Sequence, residues 1–134
     1  MQGIIVEPLN SEIIGEADLI VDAILGTGLS RPPSGVFKTA IDAINASGRP
    51  VLALDVPSGL DIDTGWVDSV VVQATVTVTF ICLKSGLFTG SGPDFTGDIV
   101  IEGLDVPDTV LAATEPMARS ITVSYTHLTL PTKA

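Results

Sequence analysis

The sequence predicts an α/β fold built on a mostly parallel sheet, and three stretches carry that prediction. Residues 18–25, DLIVDAIL, are apolar at nearly every position, as a strand buried on both faces should be. Residues 34–47 change to a helical period: Val36, Phe37, Ala40, Ile41, Ala43 and Ile44 share a face, with Lys38, Asp42 and Asn45 between them. Residues 51–55, VLALD, return to a buried strand. Strand, glycine loop, helix and strand in this order form a βαβ unit, whose two strands run parallel.

The remaining elements follow in order. Residues 11–17, SEIIGEA, read as a short helical turn opened by a Ser cap. Residues 26–35, GTGLSRPPSG, form a loop, and Ser47-Gly48 ends the helix that follows. After residue 55 comes a loop to Trp66, then a segment, 67–73, that fits no one element type. Residues 75–82, TVTVTFIC, are a third strand, and 84–93, KSGLFTGSGP, a second glycine-rich loop. Residues 99–101 are a fourth short strand, and its acidic flank of Asp98, Glu102 and Asp105 suggests a sheet edge. No internal repeat is present.

Composition narrows the function. With 134 residues, 46% hydrophobic and 16% charged, the chain is globular and long enough for one core. Aliphatic side chains dominate and only 4% are aromatic, which suits a helix-covered sheet better than a stacking platform for bases. Net charge is −10, which repels phosphate backbones and argues against binding nucleic acid by charge, although backbone N–H groups can still hold a small anion. Cys82 is the only cysteine, so no internal disulfide forms, and within an apolar run it reads as a small buried hydrophobe. His127 is the only histidine, which rules out a histidine-based metal cluster. No apolar run reaches the ~18 residues of a membrane span, and the N-terminus lacks a signal peptide's pattern. A cytoplasmic protein without membrane or nucleic-acid partners is the expectation.

Three constellations carry chemistry. Asp22 sits inside an apolar strand, where a carboxylate must be paired, hydrogen-bonded or bound to a cation; accepting backbone N–H groups would satisfy it equally. The loop after it, Gly26-Thr27-Gly28-Leu29-Ser30-Arg31-Pro32, lets backbone approach a ligand and feeds a helix N-terminus that favours phosphate. A plain strand-to-helix turn explains the same residues. Asp55 ends its strand at the same sheet edge, and Ser58-Gly59 adds a hydroxyl and loop carbonyls, hard oxygen ligands suited to K⁺, Na⁺, Mg²⁺ or Ca²⁺. Asp61 and Asp63 read as Asx-turn residues. Lys84 is either a neutraliser of a ligand phosphate or a solvated surface lysine.

The blocks DLIVDAILGTGL, PVLALDVPSGLDIDTG and ATVTVTFICLKSGLFTG, in that order, resemble the second half of the NAD(P)H-hydrate epimerase domain, the YjeF N-terminal family. The resemblance spans about residues 18–107. It implies a Rossmann-like three-layer α/β/α sandwich. It also implies interconversion of the R and S forms of hydrated NADH and NADPH, with one potassium ion per subunit. Carried over by motif, Asp22 and Ser58 are potassium ligands and Gly26, Thr27, Gly28, Leu29, Ser30, Arg31 and Pro32 contact the hydrate's phosphates and ribose. Asp55 contacts the hydrate near the reacting ring and is the catalytic candidate. A homodimer and a fused kinase-like dehydratase domain are compatible with the family. The alternative on the same fold is a non-catalytic binding or dimerisation module.

The family's Asn- and Gly-rich phosphate motif should precede Asp18 by a wide margin, and no such motif occurs here. The expectation is therefore a partial epimerase domain over 1–107, lacking its N-terminal elements and with activity of its own in question. A linker over 108–119 follows, then a non-native or disordered tail over 120–134. That tail, SITVSYTHLTLPTKA, resembles a translated cloning or sequencing adapter.

Overall fold

Alternation along the chain sets the sheet. Val51 and Ala53 are buried while Leu52 and Leu54, on the other face, are half-buried, as a period of two requires. The computed structural model describes residues 3–28 and 30–120. Within them run α1 (Ser11–Glu16), β1 (Ile20–Asp22), α2 (Gly35–Ser47), β2 (Val51–Leu54), β3 (Val76–Phe80), α3 (Gly92–Phe95), β4 (Asp98–Glu102) and α4 (Asp108–Ala112), with a 3₁₀ turn at Ser85–Leu87. The four strands form one sheet in the order β1-β2-β3-β4, and every neighbouring pair is parallel. This is the Rossmann-like α/β arrangement the sequence predicts. Helix α4 falls in the segment expected as a linker, and residues 121–134 lie outside the described residues.

The helix expected over 34–47 is present. Ser34 is its extended N-cap and Gly48, at φ 66°, closes it in the left-handed region that an L side chain resists. Ile41 and Ile44 pack with Val51 and Val72 into one buried cluster, which Ile14, Ile20, Ile24 and Val70 border. Val36 and Phe37 depart from the expected apolar face: both are exposed, because they occupy the first turn, and Phe37 there lines a surface cavity. Helix α1 is capped by Asn10, whose Oδ1 accepts the Glu12 N–H at 2.9 Å, and not by Ser11.

Strand β1 is shorter than the sequence suggests, only Ile20–Asp22, and it lies at a sheet edge. Its apolar run therefore does not indicate burial on both faces: Val21 is 52% exposed. Register places Asp22, Ala53, Thr77 and Ile99 side by side on one face, and both hydrophobic clusters lie on that side. On the opposite face Val21 and Val100 are half-exposed. Cys82, expected in the interior, is exposed, since β3 ends at Phe80 and the cysteine falls in the turn beyond.

The connection from β2 to β3, residues 55–75, contains no helix. Loops longer than about 12–15 residues without regular structure are uncommon in a compact domain. This one is packed rather than loose. Val56, Leu60 and Val71 join Leu87 in a second buried cluster. Asn45 of α2 clamps its far end, donating to the Val71 carbonyl at 2.8 Å and accepting from the Gln73 N–H at 2.8 Å.

The second glycine-rich loop is used for the same packing. A Cβ on Gly86 would lie 2.1 Å from the Asp61 carbonyl oxygen and 2.6 Å from the Ile62 carbonyl carbon. The Gly86 N–H donates to the Ile62 carbonyl at 2.6 Å. Backbone therefore meets backbone where a side chain has no room. Gly86→Ala is expected to cost about 3 kcal/mol or more through overpacking, read as a lowered urea midpoint; an unchanged midpoint would show that the two loops do not pack in this way.

Candidate functional site

Because all strands are parallel, β1, β2 and β3 present their C-terminal ends at one sheet edge, where open α/β sheets bind ligands. Asp22 is the last residue of β1, and Asp55 directly follows β2. The structure brings Asp22 and Ser58 into contact. Ser58 donates its N–H to Asp22 Oδ2 at 2.8 Å and its hydroxyl to Oδ1 at 2.6 Å. The Ile24 N–H adds a longer bond to Oδ1 at 3.3 Å. Asp22 is 1% exposed and Ser58 fully buried. Among the described residues no Lys or Arg lies within 4 Å of Asp22.

The same hydroxyl reaches the glycine loop. Ser58 Oγ accepts from the Leu25 N–H at 2.8 Å, and the Leu25 carbonyl oxygen lies 3.2 Å away. One serine thus ties the end of β1, the start of the 26–32 loop and the β2–β3 connection together. Three hydrogen bonds to a charged acceptor contribute about 1.5–3 kcal/mol each. That is comparable to the several kcal/mol that burying a carboxylate costs. Both sequence readings of Asp22 therefore remain compatible with its position: it accepts backbone N–H groups, and its surroundings are hard oxygens without a counter-charge.

The 26–32 loop borders a cavity of about 510 Å³ lined by Gly26, Gly28, Ser30, Arg31 and Pro32, with Ile24, Leu25, Pro33, Ser34 and Phe37. Thr27 is exposed but absent from that lining, and Leu29 lies outside the described residues. Gly26 differs from Gly86: among the described residues a Cβ there would meet nothing within 4 Å, and its φ is not left-handed. The described residues leave open space at this glycine. The cavity also reaches the start of α2, where Ser34 makes no side-chain cap bond. The first-turn N–H groups of α2 are thus left to other partners. Arg31 has no carboxylate within 4 Å among the described residues.

Asp55 does not line that cavity. Its backbone is left-handed at φ 70°, a conformation that Asp tolerates better than most residues. Its Oδ1 accepts from Lys84 Nζ at 2.5 Å, the Phe80 N–H at 3.3 Å and, weakly, Thr79 Oγ1 at 3.5 Å. Oδ2 accepts nothing among the described residues. The Lys84 side chain is only 14% exposed, so it is neither a solvated lysine nor free to neutralise a phosphate. Sequence reasoning missed this pair. The available signal was positional: both residues lie just beyond the ends of adjacent parallel strands.

Asp61 is the Asx-turn residue the sequence predicts. Its Oδ1 accepts from the Thr64 hydroxyl and N–H, each at 2.8 Å, and from the Asp63 N–H at 3.0 Å. The Thr64 hydroxyl, with the Thr64 and Asp63 N–H groups behind it, holds the Asp61 carboxyl below the usual carboxylate range. Asp63 makes no such set; its carbonyl accepts from Ser85 Oγ at 2.7 Å.

A parallel sheet, a glycine loop and a buried carboxylate at the C-terminal strand edge define a Rossmann-like α/β domain. The chain belongs to the YjeF-related protein N-terminus family, whose model matches residues 2–86. It is 46% identical over 89 residues to the NAD(P)H-hydrate epimerase of Limosilactobacillus fermentum, covering 66% of this chain and 43% of that protein. It is 40% identical over 106 residues to the bifunctional NAD(P)H-hydrate repair enzyme Nnr of Coxiella burnetii, covering 79% and 22%. With the Escherichia coli enzyme of the same name it shares 45% identity over 98 residues, covering 73% and 19%. The chain thus spans less than half the length of these curated relatives. No helix among the described residues is long and apolar enough to cross a membrane.

Two outcomes follow from this geometry. The Asp61 carboxyl is depressed in the folded chain, so its stabilisation is complete above the unfolded value of about 3.9 and is lost as pH falls through the lowered folded value. Urea unfolding of wild type and Asp61→Ala should differ at pH 7 and converge in strong acid; a gap independent of pH would contradict the turn's role. Gly26→Ala is expected to stay within about 1 kcal/mol of wild type, because the new methyl meets none of the described residues. A large loss of stability there would mean that the glycine serves the fold.

Proposed function

We propose that this chain takes part in interconverting the R and S forms of hydrated NADH and NADPH. The observation that carries the reading is the asymmetric hold on Asp55. Its Oδ1 is fixed by Lys84 and the Phe80 N–H, and its Oδ2 is left free at the strand edge. The C6 centre of a hydrated nicotinamide is a hemiaminal. Its epimerisation requires the hydroxyl to leave and return, or the ring to open and close. Either route needs a group that gives and takes a proton within hydrogen-bond reach. A carboxylate with one anchored and one free oxygen meets that need, and the names of the relatives agree with it.

The 26–32 loop is the proposed seat of the phosphates and ribose. Its support is the open space at Gly26, the uncapped start of α2 and the Arg31 guanidinium at the cavity. Asp22 and Ser58 are the proposed ligands of a monovalent cation, potassium by the family resemblance. A buried carboxylate without a cationic neighbour, a hydroxyl and the Leu25 carbonyl are a hard oxygen set, and no group of three or more acidic, His or Cys side chains among the described residues suits a more highly charged ion. The ion would balance the Asp22 charge and favour an anionic ligand nearby. A fused dehydratase domain, as the bifunctional relatives' names suggest, and a homodimer belong to the same proposal.

The test is an epimerisation assay on an unequal mixture of hydrated NADH forms, with K⁺ or with a bulky organic cation in its place. Wild type should work faster with K⁺, and Asp55→Asn should lose about 100-fold or more in rate while still binding the hydrate. Equal rates for wild type and a ligand-binding Asp55→Asn would refute the proton-transfer role.

A further inference from the structure

We infer that Lys84 is a positioning residue that acts through Asp55, turning one carboxylate oxygen into a fixed anchor and leaving the other to work. The inference rests on the proton-transfer role proposed for Asp55. Its basis is the acceptor count at the ammonium. Lys84 Nζ donates to Asp55 Oδ1 at 2.5 Å, to Thr79 Oγ1 at 2.9 Å and to the Phe80 carbonyl at 2.8 Å. An ammonium has three N–H donors, and here all three are spent on the protein. Lys84 therefore has no donor left for a substrate group, and its influence passes through the carboxylate it holds.

The backbone around the lysine is arranged for this contact. Lys84 lies only four residues beyond Phe80, the last residue of β3, yet its side chain returns to the end of that strand. The chain turns at Ile81, which sits at φ 67°. A β-branched residue in the left-handed region is a genuine outlier, the kind of local strain found where a neighbouring contact must be held. The Cys82 N–H closes the turn on the Phe80 carbonyl at 2.7 Å, and the Ile81 N–H is held by the Glu102 carbonyl of β4 at 2.8 Å. Thr79, itself fully buried, points its hydroxyl between the two charges. Lys84 and Asp55 are 14% and 22% exposed, so water competes poorly for the pair.

The experiment compares Lys84→Met, Lys84→Arg, Asp55→Asn and the Lys84→Met/Asp55→Asn double variant in the full chain, with the unfolding midpoint of each recorded. Lys84→Met should lower kcat for hydrated NADH about 100-fold, the scale of a misplaced catalytic group, with KM changed less than about threefold. Lys84→Arg should recover about tenfold of that loss. The double variant should be no slower than Asp55→Asn alone, since the lysine acts only through that carboxylate. Losses that multiply in the double variant, or a Lys84→Met rate near wild type, overturn the inference. A second readout needs no substrate: the ¹⁵Nζ ammonium resonance of Lys84 should be visible in wild type and should exchange away in Asp55→Asn. A resonance that persists unchanged in Asp55→Asn overturns the pairing, whatever the assay shows. If wild type turns over no hydrate, the epimerase reading fails, and the resonance alone decides the pairing. If Lys84→Met does not fold, Lys84→Arg and the resonance decide it.

Discussion

The contact between Asp22 and Ser58 is the constraint around which the site end of the molecule is arranged. A carboxylate with 1% exposure cannot stay where it is unless donors meet it. Ser58 supplies two of them, from a loop 36 residues downstream, and its hydroxyl oxygen accepts from the Leu25 N–H in turn. The end of β1, the entrance to the glycine loop and the β2–β3 connection are thereby fixed against one another. The contact sets the Leu25 end of the cavity at Gly26–Pro32, which Ile24 packs against the core from the other side of the turn.

Two glycine-rich loops that look alike in sequence have opposite uses. At Gly86 the absent side chain makes room for the protein's own backbone, with Asp61 and Ile62 pressed against it. At Gly26 it leaves space that no other described residue fills. Composition does not separate these cases, since both loops are runs of Gly, Ser, Thr and Pro after an apolar strand. What separates them is whether another segment of chain lies opposite, and that is a tertiary fact. The second loop's lysine follows the same logic. Lys84 was open to two solvent-facing readings because its partner is 29 residues away in sequence.

Much of the fold was legible because hydrophobic period and punctuation agree. The helix over 34–47, the strands beginning near 51 and 75, and their parallel order all follow from the residues themselves. The nearness of Asp22, Ser58 and the start of the 26–32 loop also follows from the pattern, because parallel strands must deliver their ends to one edge. Burial was less legible. The apolar run at 18–25 suggested a strand covered on both faces, yet β1 is three residues long and lies at an edge. Cys82 reads as interior until the strand is seen to stop two residues earlier. Hydrophobicity reports what a residue prefers, while neighbouring strands and helices decide what it receives.

The helix-free crossover from residue 55 to 75 has a consequence for the order of folding. The unit β1-α2-β2 closes over a short separation and gains a packed helix as it forms. Strand β3 pairs with β2 only after a long segment has been looped out, and loop closure is an entropic cost met before any contact repays it. The pair of Asp55 and Lys84 depends on that longer closure, since Lys84 lies beyond β3, whereas Ser58 meets Asp22 across the β1-β2 pair. The contact of Asp22 with Ser58 thus needs only the compact βαβ unit, while the Lys84 hold on Asp55 needs the whole length of the crossover in place.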